Sequence, residues 1–221
     1  MYETGNVRFQ QKLSQFTPSE YIHSRVTAFF AGAVTFAASD SINQTIAIAQ
    51  KHSLSRSVLY EIALQSYLFL GFPRMLTAMD ALNAAWPDTE QLSQLVPISA
   101  QEGQQWHDSG IKLCEQVYQQ NYPALKRRVE GMSPEVFRWM IIEGYGKVLS
   151  RPGISIIDRE LAIVAALMIE QREPQLHSHI KGALNVGADP RLVRIVVDDI
   201  GDAAGDGYTM AVQILNRIGG Q

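Results

Sequence analysis

His179 is one of five histidines, and an imidazole, which titrates at about pH 6.5 when unperturbed, is a side chain suited to moving a proton. From the residues alone two readings stay open: an acid/base group, or a ring that satisfies hydrogen bonds within a helix bundle. His177 lies two positions earlier, roughly 200° around a helix, so the two rings face opposite ways. They make no metal pair, which on a helix needs i, i+3 or i, i+4 spacing. Glu160 offers a carboxylate. It also sits just after Asp158, the expected N-cap, where negative charge favours the helix dipole by roughly 0.3–1 kcal/mol. With the turn at 172–174, Glu160 lies about 18 Å along one helix and His179 about 8 Å along the next. The two meet only if the helices tilt or a neighbouring unit supplies one partner. Asp198, Asp199, Asp202 and Asp206 recur at helical spacing, a pattern that suits either a cation or a solvated face. Cys114, in the apolar run IKLCEQV, reads as a packing thiol. His23, His52 and His107 have no partner at useful spacing, and no phosphate loop, nucleophile elbow or metal signature is present.

These groups belong to a chain of 221 residues, 46% hydrophobic, with 19 Lys+Arg against 22 Asp+Glu. That is enough apolar content for one large or two small cores, and no basic block points to nucleic acid. A single cysteine excludes an intramolecular disulfide and a CxxC redox pair. No run approaches the roughly 20 apolar residues of a membrane span, and MYETGNVRFQQKLSQ has no signal-like core, so the expected setting is cytoplasmic.

Apolar residues recur at helical spacing, as in Val58, Ile62, Leu64, Leu68 and in Leu161, Val164, Ala165, Met168, so the expected fold class is all-α. Helices are predicted near 18–37, 40–51 and 55–85, the last bent at Gly71-Phe72-Pro73. A polar stretch from Trp86 to Gln104 reads as a linker, followed by helices near 105–120, 122–130 and 134–149. Asp158 then opens a helix running to about Gln171. Glu173-Pro174 opens the next, with Gly187 as its left-handed C-cap, and Asp189-Pro190 opens a third.

Sliding the chain by 134 residues places Arg25 on Arg159, Ala28 on Ala162, Ala31 on Ala165, Ile46 on Ile180, Ala49 on Ala183 and Gly71 on Gly205. The segments 25–83 and 159–217 are read as two copies of one helical unit. In this register Glu61 and Gln65 face Ile195 and Asp199, whereas Glu160 and His179 face Val26 and Thr45. Each copy keeps different polar groups, through drift or because both contribute to one composite pocket.

Arg159-Glu160-Leu161-Ala162, HIKGALNVGADPRLV from His179, YGKVLSRPG from Tyr145 and YEIALQSYLFLGFP from Tyr60 resemble the carboxymuconolactone decarboxylase and alkylhydroperoxidase D-like superfamily. The resemblance implies an all-α fold, obligate oligomerisation and a site around the helix carrying His179. It places the proton-relay glutamate at Glu160 and its histidine at His179. The redox branch's two cysteines fall on Arg172 and Gln175, so the thiolate that peroxidase chemistry needs is missing. The lactone-decarboxylase branch commonly carries a carboxylate near the histidine, where this chain has Gln175, with Glu173 two residues earlier. Decarboxylation there needs no cofactor when a dienolate is stabilised and a general acid delivers a proton to carbon.

The expectation is therefore a tandem-duplicated, cofactor-independent enzyme acting on a small carboxylated or lactone substrate. His179 is its general acid/base and Glu160 its partner, while Gln175, His177, Glu61 and Gln65 are the binding candidates. The alternative is a catalytically silent helical oligomer that binds a small ligand or partner, and an alkylhydroperoxidase stands last for want of CxxC. The expected organisation is a degenerate unit over 1–86, a linker over 87–104, and connecting helices with the second unit over 105–221. No metal and no cofactor is expected. The expected partners are a small-molecule substrate and further copies of the chain, a trimer first, with neither nucleic acid nor membrane.

Overall fold

The computed structural model describes residues 2–88 and 97–219. It is helical throughout, with no strand among the described residues, as the apolar spacing predicts. The chain forms two compact units: residues 1–87 together with 153–221, and the intervening 88–152.

In the larger unit α1 (Tyr2–Ser14) precedes α2 (Ile22–Phe36), α3 (Ser39–Lys51) and α4 (Arg56–Ala85). The unit resumes after the insertion with α8 (Ile156–Ile169), α9 (Glu173–Asn185), α10 (Pro190–Ile200) and α11 (Asp206–Gly219). Helix α1 is absent from the sequence-based expectation because its residues are mostly polar. It is held by two side chains four apart: Phe9 and Leu13 are buried, and Phe9 packs against Phe29 and Phe36. Helices α2 and α8 are apolar nearly all round and lie at the centre, packed on each other. Helix α4 breaks at Gly71, where φ is 78°, just before Pro73, at the predicted bend.

Backbone features recur at the 134-residue offset. Left-handed φ occurs at Ala37 and Gln171, at Ser53 and Gly187, and at Gly71 and Gly205. Ser55 and Asp189 are both N-caps, and the turns closing α3 and α9 carry matching bonds, Leu54 N–H to Ala49 O and Ala188 N–H to Ala183 O. The Arg pair follows the same rule. Arg25 donates to both carboxylate oxygens of Asp199 (2.7 and 2.8 Å). Arg159 donates to Gln65 (3.0 Å), the residue that Asp199 matches, and to Glu61 (2.8 Å).

Two boundaries differ from expectation. Helix α8 is capped by Ser155, whose Oγ accepts from the Asp158 N–H at 3.0 Å and donates to the Asp158 carboxylate at 2.7 Å, so the cap lies three residues before the expected Asp158. The four aspartates do not share a helix. Helix α10 ends at Ile200, a 3₁₀ turn spans Gly201–Ala204, and α11 starts at Asp206, because Gly201 and Gly205 both take positive φ.

The smaller unit holds α5 (Ala100–Tyr118), α6 (Tyr122–Met132) and α7 (Pro134–Trp139), which runs on as a π-helix over Met140–Leu149. A Ser99/Glu102 capping box starts α5, so residues 100–104 of the expected linker are helical, and 89–96 lie outside the described residues. Glycines let α5 and the π-helix touch backbone to backbone: a Cβ on Gly110 would strike the Ile141 carbonyl, and one on Gly146 the Trp106 carbonyl. Cys114 is buried in this unit.

A pH-dependent tie joins the entry of α2 to the entry of α10. Tyr21 Oη donates to Asp189 Oδ2 at 2.5 Å, which pushes the phenol up to about 12 from 10.0. The same bond, helped by the Arg191 N–H, holds the Asp189 carboxyl below its ordinary 3.8. The raised phenol contributes stability that is full below pH 10.0 and fades as pH climbs toward about 12. The depressed carboxyl contributes stability that is full above the unfolded value of 3.8 and is lost as pH falls through the lower folded one. Melting temperature against pH is expected to show both limbs in the parent and weaker limbs in Tyr21→Phe. Identical profiles would remove this bond from the account.

Candidate active site

Helix α8 carries Arg159 and Glu160 inward on its second turn, and α9 carries His179 on its buried face. His179 Nδ1 lies 2.9 Å from Glu160 Oε2, with Glu160 0% and His179 6% exposed. The pair therefore meets within one chain. Helix α8 ends at Ile169 and α9 starts at Glu173, so the turn is earlier than expected and the offset between the two residues falls to about 4.5 Å at 1.5 Å per residue, within reach of a glutamate and a histidine side chain. Glu160 is the fifth residue after Ser155, past the open amides of the first turn, so the dipole does not explain a carboxylate sealed in the core.

An ionised Glu160 makes Nδ1 the protonated nitrogen and leaves Nε2 as the nitrogen that exchanges a proton. Nε2 has no hydrogen bond among the described residues. The second carboxylate oxygen, Glu160 Oε1, is buried and also lacks a partner among them. Leaving such an atom unsatisfied costs about 1–3 kcal/mol, which is characteristic of a working site rather than of scaffold.

Glu61, Gln65 and Phe69 are spaced four apart and line one face of α4. The first two, expected to bind substrate, grip Arg159, which is 1% exposed, and Gln65 also donates to the Arg159 carbonyl at 3.2 Å. Phe69 stands edge-on to the His179 ring, centroids 5.4 Å apart and planes at 86°. Gln175 and His177 are exposed on α9 and are not brought to the pair. Phe69 and Arg159 are the neighbours that residue types alone did not assign. The signal for Arg159 was its match to Arg25 in otherwise apolar helices, while nothing distinguished Phe69 from other aromatic residues.

The acidic residues do not converge, and no metal-binding cluster occurs among the described residues. Asp198 pairs with Arg194 and Tyr208, Asp199 with Arg25, and Asp202 with Lys12. The larger cleft, about 250 Å³, lies away from His179, between α1 and the α8–α9 turn, and includes Gly5, Arg8, Glu170 and Gln171.

The sequence pattern described as the carboxymuconolactone decarboxylase family matches residues 134–214, which include Glu160 and His179. Over that stretch the chain is similar to the carboxymuconolactone decarboxylase family. Similarity extends to two yeast proteins, each named peroxisomal protein 2. The Schizosaccharomyces pombe protein is 29% identical over 133 residues, 59% of this chain and 61% of its own length. The Saccharomyces cerevisiae protein is 22% identical over 160 residues, 62% of this chain and 56% of its own. The match thus spans less than two thirds of either relative. In the family segment, α7 and the π-helix lead into α8–α11, so both members of the buried pair come from it. No helix among the described residues is long and apolar enough to cross a membrane.

Proposed function

We propose that this chain catalyses proton transfer at carbon in a small carboxylated or lactone substrate, with decarboxylation as the net reaction. The observation that carries this reading is the buried Glu160–His179 contact at 2.9 Å, which orients the ring and leaves Nε2 open. As carbon dioxide leaves the substrate carboxylate, the electron pair of the broken C–C bond passes into the remaining unsaturated system, the imidazolium Nε2–H delivers a proton to carbon, and solvent reprotonates the ring. Glu160 stabilises the imidazolium form in that cycle. The proposal includes duplication of an ancestral unit, supported by the recurrent left-handed positions and the reciprocal Arg25 and Arg159 pairs. One copy then supplies the acid/base pair, and the other, through Glu61 and Gln65, braces it. Incubation with a panel of small carboxylated lactones and β,γ-unsaturated acids, with released carbon dioxide as readout, tests the reading. Turnover that survives in Glu160→Ala, or its absence across the whole panel, overturns it.

A second reading, a catalytically silent helical oligomer that binds a small ligand or partner, is favoured by one observation: the recess beside Phe69 and His179 is closed to about 10 Å³, so among the described residues no open pocket adjoins the pair there. The proposed partners are the small-molecule substrate and further copies of the chain. Self-association is supported by exposed apolar residues on α4, with Phe72 61% and Leu76 54% exposed. A closed trimer is expected, and light scattering at micromolar concentration that reads a monomer refutes it. A cytoplasmic location stays the proposal, with the yeast relatives' name supporting a peroxisomal alternative, and cell fractionation separates the two.

A further inference from the structure

We propose that Phe69 is the specificity-determining residue of this site, and that the apolar recess behind it receives a short hydrocarbon tail of the substrate. The inference rests on the proton-transfer reading above for the polar end of that substrate and on separate geometry for its tail. Phe69 belongs to two surroundings at once. Its ring stands edge-on to His179, and it also walls a recess lined by Ile62, Gln65, Ser66 and Leu70 of α4 and by alanines and Ile163 of α2 and α8.

As it stands the recess holds about 10 Å³, room for roughly one water, and its walls are almost wholly apolar. An empty apolar space beside a ring with two χ angles is filled or opened by rotation of that ring. Phe69 is the bulkiest of the side chains that line the recess, so its rotation frees the most room. Phe69 lies two residues before Gly71, where α4 breaks at a φ of 78°, so its turn is the last of that helical segment and lacks a helical continuation to brace it. A substrate acid whose oxygen meets Nε2 would then point its tail past Phe69 toward Ala162 and Ala166. The present volume of about 10 Å³ admits no methylene, so a tail enters only as the Phe69 ring turns aside, and longer or branched tails are disfavoured while that ring stays in place.

Straight-chain alkanoates from butyrate to octanoate serve as probes, with the His179 imidazole ¹⁵N resonances as readout, assigned by their loss in His179→Gln. In the parent, affinity is expected to fall beyond the shortest acids. Phe69→Ala is expected to bind octanoate at least tenfold more tightly than the parent does, and Ala166→Leu in the same background to cancel that gain. Should Phe69→Ala fail to fold by circular dichroism, Phe69→Leu carries the comparison, with at least a threefold gain expected. An unchanged chain-length preference in the folded variant, a gain that survives Ala166→Leu, or silence of the His179 resonances toward every alkanoate overturns the proposal. Failure of the proton-transfer reading is seen elsewhere, as turnover that persists without His179, so the two failures are distinguishable.

Discussion

Replacing His179 with glutamine is expected to lower turnover by roughly 100- to 10,000-fold, the usual contribution of a general acid/base, while the melting temperature stays within a few degrees of the parent's. The two halves of that expectation come from different features of the site. Glutamine has comparable size and an amide that can still donate to Glu160 Oε2, so the buried carboxylate keeps a partner and the core keeps its volume. No amide can take up and return a proton near neutral pH, so the chemistry has no substitute. A packing histidine would give the reverse result, a fall in melting temperature with turnover unchanged. Steady-state kinetics and calorimetry on the same preparation separate the two. Retained turnover in the folded variant removes His179 from the mechanism.

The largest loss of stability is expected from Glu61→Ala. Arg159 is 1% exposed, and Glu61 and Gln65 are the α4 side chains on its guanidinium. Taking away the carboxylate removes the anion 2.8 Å from a buried guanidinium, and breaking a buried pair from one side costs about 3–5 kcal/mol. In a chain of this size that corresponds to a drop in melting temperature of about 6–20 °C, at roughly 2–4 °C per kcal/mol. Glu61→Gln keeps the shape and a hydrogen-bond acceptor and is expected to lose less. The double variant Glu61→Leu/Arg159→Met removes both charges together and is expected to recover much of the loss, because an apolar pair of similar volume satisfies the same space. Urea melts of the three variants give the ordering. A Glu61→Ala protein as stable as the parent would mean that the guanidinium finds its compensation elsewhere.

How much of this was legible in the sequence differs from element to element. The helices over 39–51, 56–85 and 173–185 are predicted to within a residue or so, since their starts carry a Ser, Asp or Pro signal and Gly187 follows the last of them. Helix α1 was not legible, because two buried side chains in a polar segment have no periodicity to detect. The cap of α8 was misplaced because Asp158 and Ser155 are both good caps, and the choice follows from whether Ile156 and Ile157 turn inward, which propensity does not determine. The aspartates read as a single stripe because helical spacing was extended across Gly201 and Gly205, and positive φ at both positions interrupts it.

Residue types and spacing by themselves determined that this is a helical chain with a single cysteine, and the family resemblance made His179 and Glu160 the groups to watch. Those conclusions depend on local chemistry and on identities along the chain, which burial does not change. Tertiary structure alone decided that Glu160 and His179 meet within one chain, that Glu61 and Gln65 are occupied by Arg159, and that Phe69 stands between the pair and an apolar recess. The physical reason is the packing of α9 on α8 and of α4 on α8. These are set by how the side chains of three helices interlock, and a spacing pattern within one helix carries no information about the angle at which another crosses it.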